Sequence, residues 1–84
     1  MPAIDLETAK YRLGHLAREF DSQTFVVSIE ESHDGELYKV VFQRGYHSYV
    51  LEVEADRFSG WFAGDEQVAD MVEAVKLAVE ELVS

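Results

Sequence analysis

Apolar residues along this chain follow two periods, and the switches between them mark its elements. From Leu6 to Phe20 the positions Leu6, Ala9, Leu13, Leu16, Ala17 and Phe20 fall within one arc of roughly 100° at 3.6 residues per turn, which predicts an amphipathic helix. Asp5 stands before it as an N-cap, because its carboxylate can accept from amides of the first turn. Gly14 sits mid-helix at a cost near ~1 kcal/mol against Ala. Either close approach of another backbone or a kink is expected there.

The period then falls to two. Residues 24–31 set Phe25, Val27 and Ile29 against Val26, Ser28 and Glu30. Residues 36–44 set Tyr38, Val40 and Phe42 against Leu37, Lys39, Val41 and Gln43, and residues 47–55 set Tyr49, Leu51, Val53 and Ala55 against Ser48, Val50, Glu52 and Glu54. Such alternation, rich in β-branched and aromatic residues, predicts three half-buried strands. The joints Ser32-His33-Asp34-Gly35 and Arg44-Gly45-Tyr46 are short and carry Gly where a positive φ is wanted, so neighbouring strands are antiparallel.

Residues 57–64 read as an aromatic connector with a short extra strand or a tight turn. Its rings Phe58, Trp61 and Phe62 either plug the open end between sheet and helices or serve as recognition anchors, with Trp61 the most exposed. Asp65 is the expected cap of a C-terminal helix with the inward arc Val68, Met71, Val72, Val75, Val79 and Leu82. The prediction is one compact domain over residues 1–84. It is an α+β fold of order α-β-β-β-α, a three-stranded antiparallel meander with both helices packed on one face.

Charge narrows the function. Seventeen acids against seven Lys and Arg give a net charge of −10 over 84 residues. Six of the acids (Asp65, Glu66, Asp70, Glu73, Glu80 and Glu81) lie on the last helix beside the single Lys76. That argues against nucleic acid and anionic membrane as partners and for a basic protein. It also suits a salt-rich habitat, where the acids would keep the surface soluble. On the helix, the acids surround Leu77, which points away from the apolar arc. Asp70, Glu73, Leu77, Glu80 and Glu81, with Trp61, are therefore the candidate partner-binding residues; a solvated face with one stray leucine is the plainer reading. The outward strand residues Val26, Leu37, Val41 and Val50 form an uncovered apolar set and a candidate homodimer face.

Little in the sequence points to catalysis. Tyr11, His15 and Arg18 form a row on the exposed face of the first helix, expected to be convex and solvated. His15, His33 and His47 share no ligand spacing, and Asp34 with Glu30, Glu31 and Glu36 lacks the alternation of a calcium loop. No catalytic residue, metal or cofactor is expected. The absence of cysteine excludes disulfides and suits a reducing compartment. The first residues lack a basic and apolar leader, and no apolar run approaches the ~20 residues that span a bilayer. A cytoplasmic protein is expected.

Two resemblances follow from these residues. The α-β-β-β-α order resembles that of double-stranded RNA-binding domains, but Asp65 and Glu66 stand where those domains place a lysine cluster. Over residues 25–83 the chain resembles HicB-type antitoxins. The echo runs through Val27-Ser28-Ile29-Glu30-Glu31, Asp34-Gly35, Asp56-Arg57-Phe58-Ser59-Gly60-Trp61-Phe62, Gly64-Asp65 and Lys76-Leu77-Ala78-Val79-Glu80. An additional strand, a missing proline and a preceding helix depart from that pattern. The resemblance implies an acidic partner of a small basic RNase toxin.

Overall fold

The structure, a computed structural model, describes residues 4–64 and 68–84. Its elements run α1 (Leu6–Phe20), β1 (Phe25–Glu31), β2 (Leu37–Arg44), β3 (His47–Glu54), α2 (Ala55–Ala63) and α3 (Val68–Val83). The strands form one antiparallel sheet in the order β1-β2-β3. The predicted α+β meander is therefore present, with one more helix than the sequence pattern indicated. α1 lies over β1, α3 lies over β3, and the two helices touch. Buried side chains from the sheet and all three helices join in one cluster, which places the helices on one face.

Each boundary has a local cause. The Asp5 carboxylate accepts from the amides of Glu7 at 3.0 Å and Thr8 at 3.4 Å, and the Thr8 hydroxyl donates to it at 2.8 Å. These bonds satisfy donors that a helix start leaves orphaned. Ala9, Leu13 and Ala17 are fully buried, whereas Phe20, predicted on the same arc, is 40% exposed at the helix end. Nothing approaches within 4 Å of a Cβ placed on Gly14, so a close backbone is not the reason for that glycine. The helix runs through it unbroken.

The β2–β3 hairpin turns on Gly45 and Tyr46, with a positive φ of 62° at Gly45 alone, as a type II′ turn requires. In the longer β1–β2 joint, Ser32 Oγ donates to Asp34 Oδ1 at 2.7 Å, and the Asp34 carboxylate also accepts from the Glu36 amide at 3.1 Å.

Two elements depart from expectation. In β1 the register slips between Val26, opposite Phe42, and Ser28, opposite Val41. The extra residue, Val27, makes a β-bulge, and beyond it the side-chain alternation is shifted by one. Val26 and Ile29, three apart, therefore both face the core, while Phe25 and Val27 are 43% and 39% exposed. The predicted inward set for this strand is wrong at two of its three positions.

The second departure is α2, a helix where a strand or turn was expected. Phe58, Trp61 and Phe62 stand at i, i+3 and i+4, which a helix turns to one side. Phe58 stacks on Tyr38 with ring centroids 4.3 Å apart and meets Trp61 edge-on at 5.4 Å. Gly64, at φ 83°, ends the helix in the left-handed conformation. Asp65 and Glu66, and the side chain of Val68, lie outside the described residues, so the predicted cap and the start of the inward arc stand beyond this description. Met71, Val75, Val79 and Leu82 are buried as predicted, and Ala78 joins them.

Candidate functional site

With one arc of α3 in the core, its other side presents charge to solvent. Asp70, Glu73, Glu80 and Glu81 are exposed, and Leu77 between them is 52% exposed. Glu73, Glu80 and Glu81 stand at i−4, i+3 and i+4 from Leu77, which makes them its surface neighbours on a helix. Among the described residues none of these carboxylates is in an ion pair; the one pair found joins Arg44 to Asp21. The face can supply long-range attraction for a cationic surface and one apolar anchor.

Trp61 does not belong to this face. It is 3% exposed, the opposite of the prediction that it would be the most exposed ring. The Arg12 guanidinium lies 4.5 Å from its ring centroid and 5.2 Å from that of Phe62, and Nη1 donates to the Phe62 carbonyl at 2.9 Å. That carbonyl belongs to the last turn of α2, where a cation is favoured by the helix dipole. Arg12 thus clamps α2 to α1, and the aromatic cluster is a plug rather than a recognition loop.

The predicted homodimer face is only partly assembled. Cross-strand pairing puts Ser28, Val41 and Val50 in one outward row and Glu30, Lys39 and Glu52 in the next. Val50 is 51% exposed, and Val41 and Leu37 are half-buried. Val26 is 7% exposed and faces the core, because the bulge reverses its side. Phe25 and Val27 take its place among the exposed apolar residues of β1. An alternation read without a partner strand assigns both to the interior.

Tyr11, His15 and Arg18 do not lie on a plain convex surface. Together with Glu7, Lys10, Gly14, Phe25 and Val26 they line an open groove of about 300 Å³ between α1 and β1. Tyr11 and His15 meet edge to face at 5.7 Å. A second, smaller cleft of about 130 Å³ lies between β3, α2 and α3, with Leu51, Val53 and Met71 as its apolar lining and Arg57 beside Glu52, Glu54 and Asp70. Among the described residues no group of three or more His, Asp or Glu could hold a metal ion. No helix there is long and apolar enough to cross a membrane.

One polar junction escaped sequence reasoning. Asp21, which follows α1, accepts from the Thr24 hydroxyl at 2.6 Å and from Arg44 Nε at 2.7 Å. The Thr24 hydroxyl, and then the Arg44 guanidinium, hold the Asp21 carboxyl below its usual range against the opposing effect of burial. The spacing Asp21-x-x-Thr24 is a visible signal; the partner from β2 is not. At the other end of the sheet, burial and then the neighbouring Glu31 carboxylate, 3.1 Å away, raise the Tyr38 phenol above its usual range. Both junctions tie elements together.

Comparison with family models, with curated proteins and with solved structures returns no match for this chain.

Proposed function

We propose that this chain is a non-catalytic interaction module that presents the acidic face of α3 to a basic protein, in the manner of an inhibitor, antitoxin, chaperone or regulatory subunit. The observation that carries this reading is Leu77, 52% exposed among Asp70, Glu73, Glu80 and Glu81 on a helix whose opposite arc is buried. Unpaired carboxylates steer a cationic partner and speed encounter, while a desolvated apolar anchor sets the lifetime of the complex. The same charge disfavours nucleic acid and anionic membrane. A cytoplasmic location belongs to the same proposal. The HicB-type resemblance makes a small basic RNase toxin one concrete partner class.

The test is affinity purification from the native cell with the wild-type chain and with a Leu77→Arg, Glu73→Lys variant, compared by quantitative mass spectrometry. A basic protein enriched by the wild type, lost with the variant and released by high salt is the expected result. Equal enrichment by both chains would remove the α3 face from the interaction. A second reading, self-association through the outer sheet, is favoured by the exposure of Val27 and Val50. It predicts a dimer disrupted by Val50→Glu.

A further inference from the structure

The seven cations of this acidic chain are unevenly employed. Arg12 is committed to α2 and Arg44 to Asp21. Lys39 stands between Glu30 and Glu52 in the outer row of the sheet. Arg57 lies beside Glu52, Glu54 and Asp70 in the smaller cleft, and Lys76 shares α3 with the acids. Lys10 and Arg18 remain, and the fold brings both to one concave surface, the groove between α1 and β1. Glu7 is the one carboxylate lining it, so the groove keeps a net positive charge on a strongly negative molecule. Tyr11, 71% exposed, and Phe25 add apolar area. Gly14 adds width, since nothing occupies the space where its Cβ would be.

The complement of this groove is present on the same chain. The face of α3 offers an apolar knob, Leu77, inside a ring of carboxylates. The two surfaces lie on different elements, one over each edge strand. α1 covers one edge strand, β1, and its groove opens on that side, while Arg12 faces α2. α3 covers the other edge strand; its Lys76, Glu80 and Val83 gather near Phe20 of α1, and Asp70 and Ala74 line the cleft beside β3. A contact between two different surfaces is heterologous, so copies join head to tail, into a ring or an open chain.

We propose that the α1–β1 groove is a docking site for α3 of a second copy of this chain, with Leu77 seated on Tyr11 and Phe25 and with Glu73 and Glu80 facing Lys10 and Arg18. Repulsion between two negative molecules is screened beyond about 8 Å at physiological ionic strength, so the local pairing decides. The contact is small, and therefore weak and reversible. It occupies the α3 face that an external basic protein would use, so self-docking and partner binding exclude one another. The homotypic contact needs no external protein, and each reading can fail while the other stands.

Complementation tests it, with sedimentation equilibrium of the full chain as readout. The wild type is expected to gain weight-average mass with concentration, without a plateau at the dimer, and to lose about tenfold or more in association constant between about 0.05 and about 0.5 M salt. A Lys10→Glu, Arg18→Glu variant loses the groove, and a Glu73→Lys, Glu80→Lys variant loses the knob. Each alone stays monomeric, and an equimolar mixture associates, because one keeps α3 and the other keeps the groove, and the reversed charges of the two altered surfaces also match. A wild type that stays monomeric, variants that associate as before, or a mixture that stays monomeric would each overturn the proposal. Should either variant lose its circular dichroism spectrum, amide shifts of the labelled wild type on dilution decide the matter. Changes confined to the groove and α3 support the contact, and changes on the outer sheet rows or none at all overturn it.

Discussion

α2 and α3 use their polar surroundings in opposite ways. α2 is held by a specific charge: Arg12 reaches from α1, donates to the Phe62 carbonyl in its last turn and lies against Trp61, while Phe58 stacks on Tyr38. α3 carries the largest net charge of any element, yet among the described residues none of its carboxylates is in an ion pair. Removing charge from the first should unfold something, and removing it from the second should not. Structural charges are recognised by their hydrogen-bond partners, and charges kept for encounter are recognised by the lack of them.

The comparison breaks most directly at Phe58. Phe58→Ala empties a fully buried ring site and should cost about 3–5 kcal/mol, read as the midpoint of urea denaturation. For a domain this small that is a large part of total stability, so partial unfolding at room temperature is an expected outcome. Loss of less than about 1 kcal/mol would mean that α2 is not part of the cooperative unit.

Arg12→Ala comes next, since it removes a charged hydrogen bond and the packing of the guanidinium on two rings. It should destabilise by about 1–3 kcal/mol and raise the fluorescence exposure of Trp61. The effect should persist at high salt, because the contacts are partly buried.

The pH dependence sharpens the contrast further. Hydrogen bonds from Thr8, Thr24 and Ser32 respectively lower the folded-state pKa values of Asp5, Asp21 and Asp34. A lowered carboxyl contributes stability that is fully present above the ordinary carboxylate range, about 4, and is lost as pH falls through the lowered values. Tyr38 is raised, so its contribution is intact below about 10 and is lost as pH climbs through its folded-state value. Denaturation curves from pH 7 down to about 3 should show the acid loss, and Asp21→Asn should shrink it. An unchanged slope in that variant would exclude the Asp21 junction as a source.

The smallest effect belongs to α3. Glu73→Lys, Glu80→Lys should leave stability within about 0.5 kcal/mol of the wild type, since these side chains are exposed and unpaired. A loss as large as that of Arg12→Ala would erase the distinction between the two helices.

Much of this architecture is legible in the chain. The bounds of α1, its Asp5 cap, the Tyr38-Val40-Phe42 stripe and the exposed Leu77 follow from periodicity and capping alone. Each of these is a local property: a helix or strand of seven to sixteen residues repeats its pattern often enough to be read. The candidate site is legible where it lies on such an element. It fails where the reading depends on a partner, as with Val26, whose side depends on a bulge against β2, and Trp61, whose burial depends on α1.

The first helix, the three strands and the last helix in their order, the acidic face of α3 and the absence of any thiol chemistry were therefore settled by the residues themselves. Tertiary structure decided the rest. A nine-residue helix with an internal glycine is too short to persist in water, so α2 exists because Arg12 and Tyr38 hold its rings. The bulge at Val27 exists only relative to a neighbouring strand, and the groove of Lys10 and Arg18 only where α1 crosses β1. Short-range pattern fixes which side of an element is apolar; long-range packing fixes what that side meets and which charges are left for solvent.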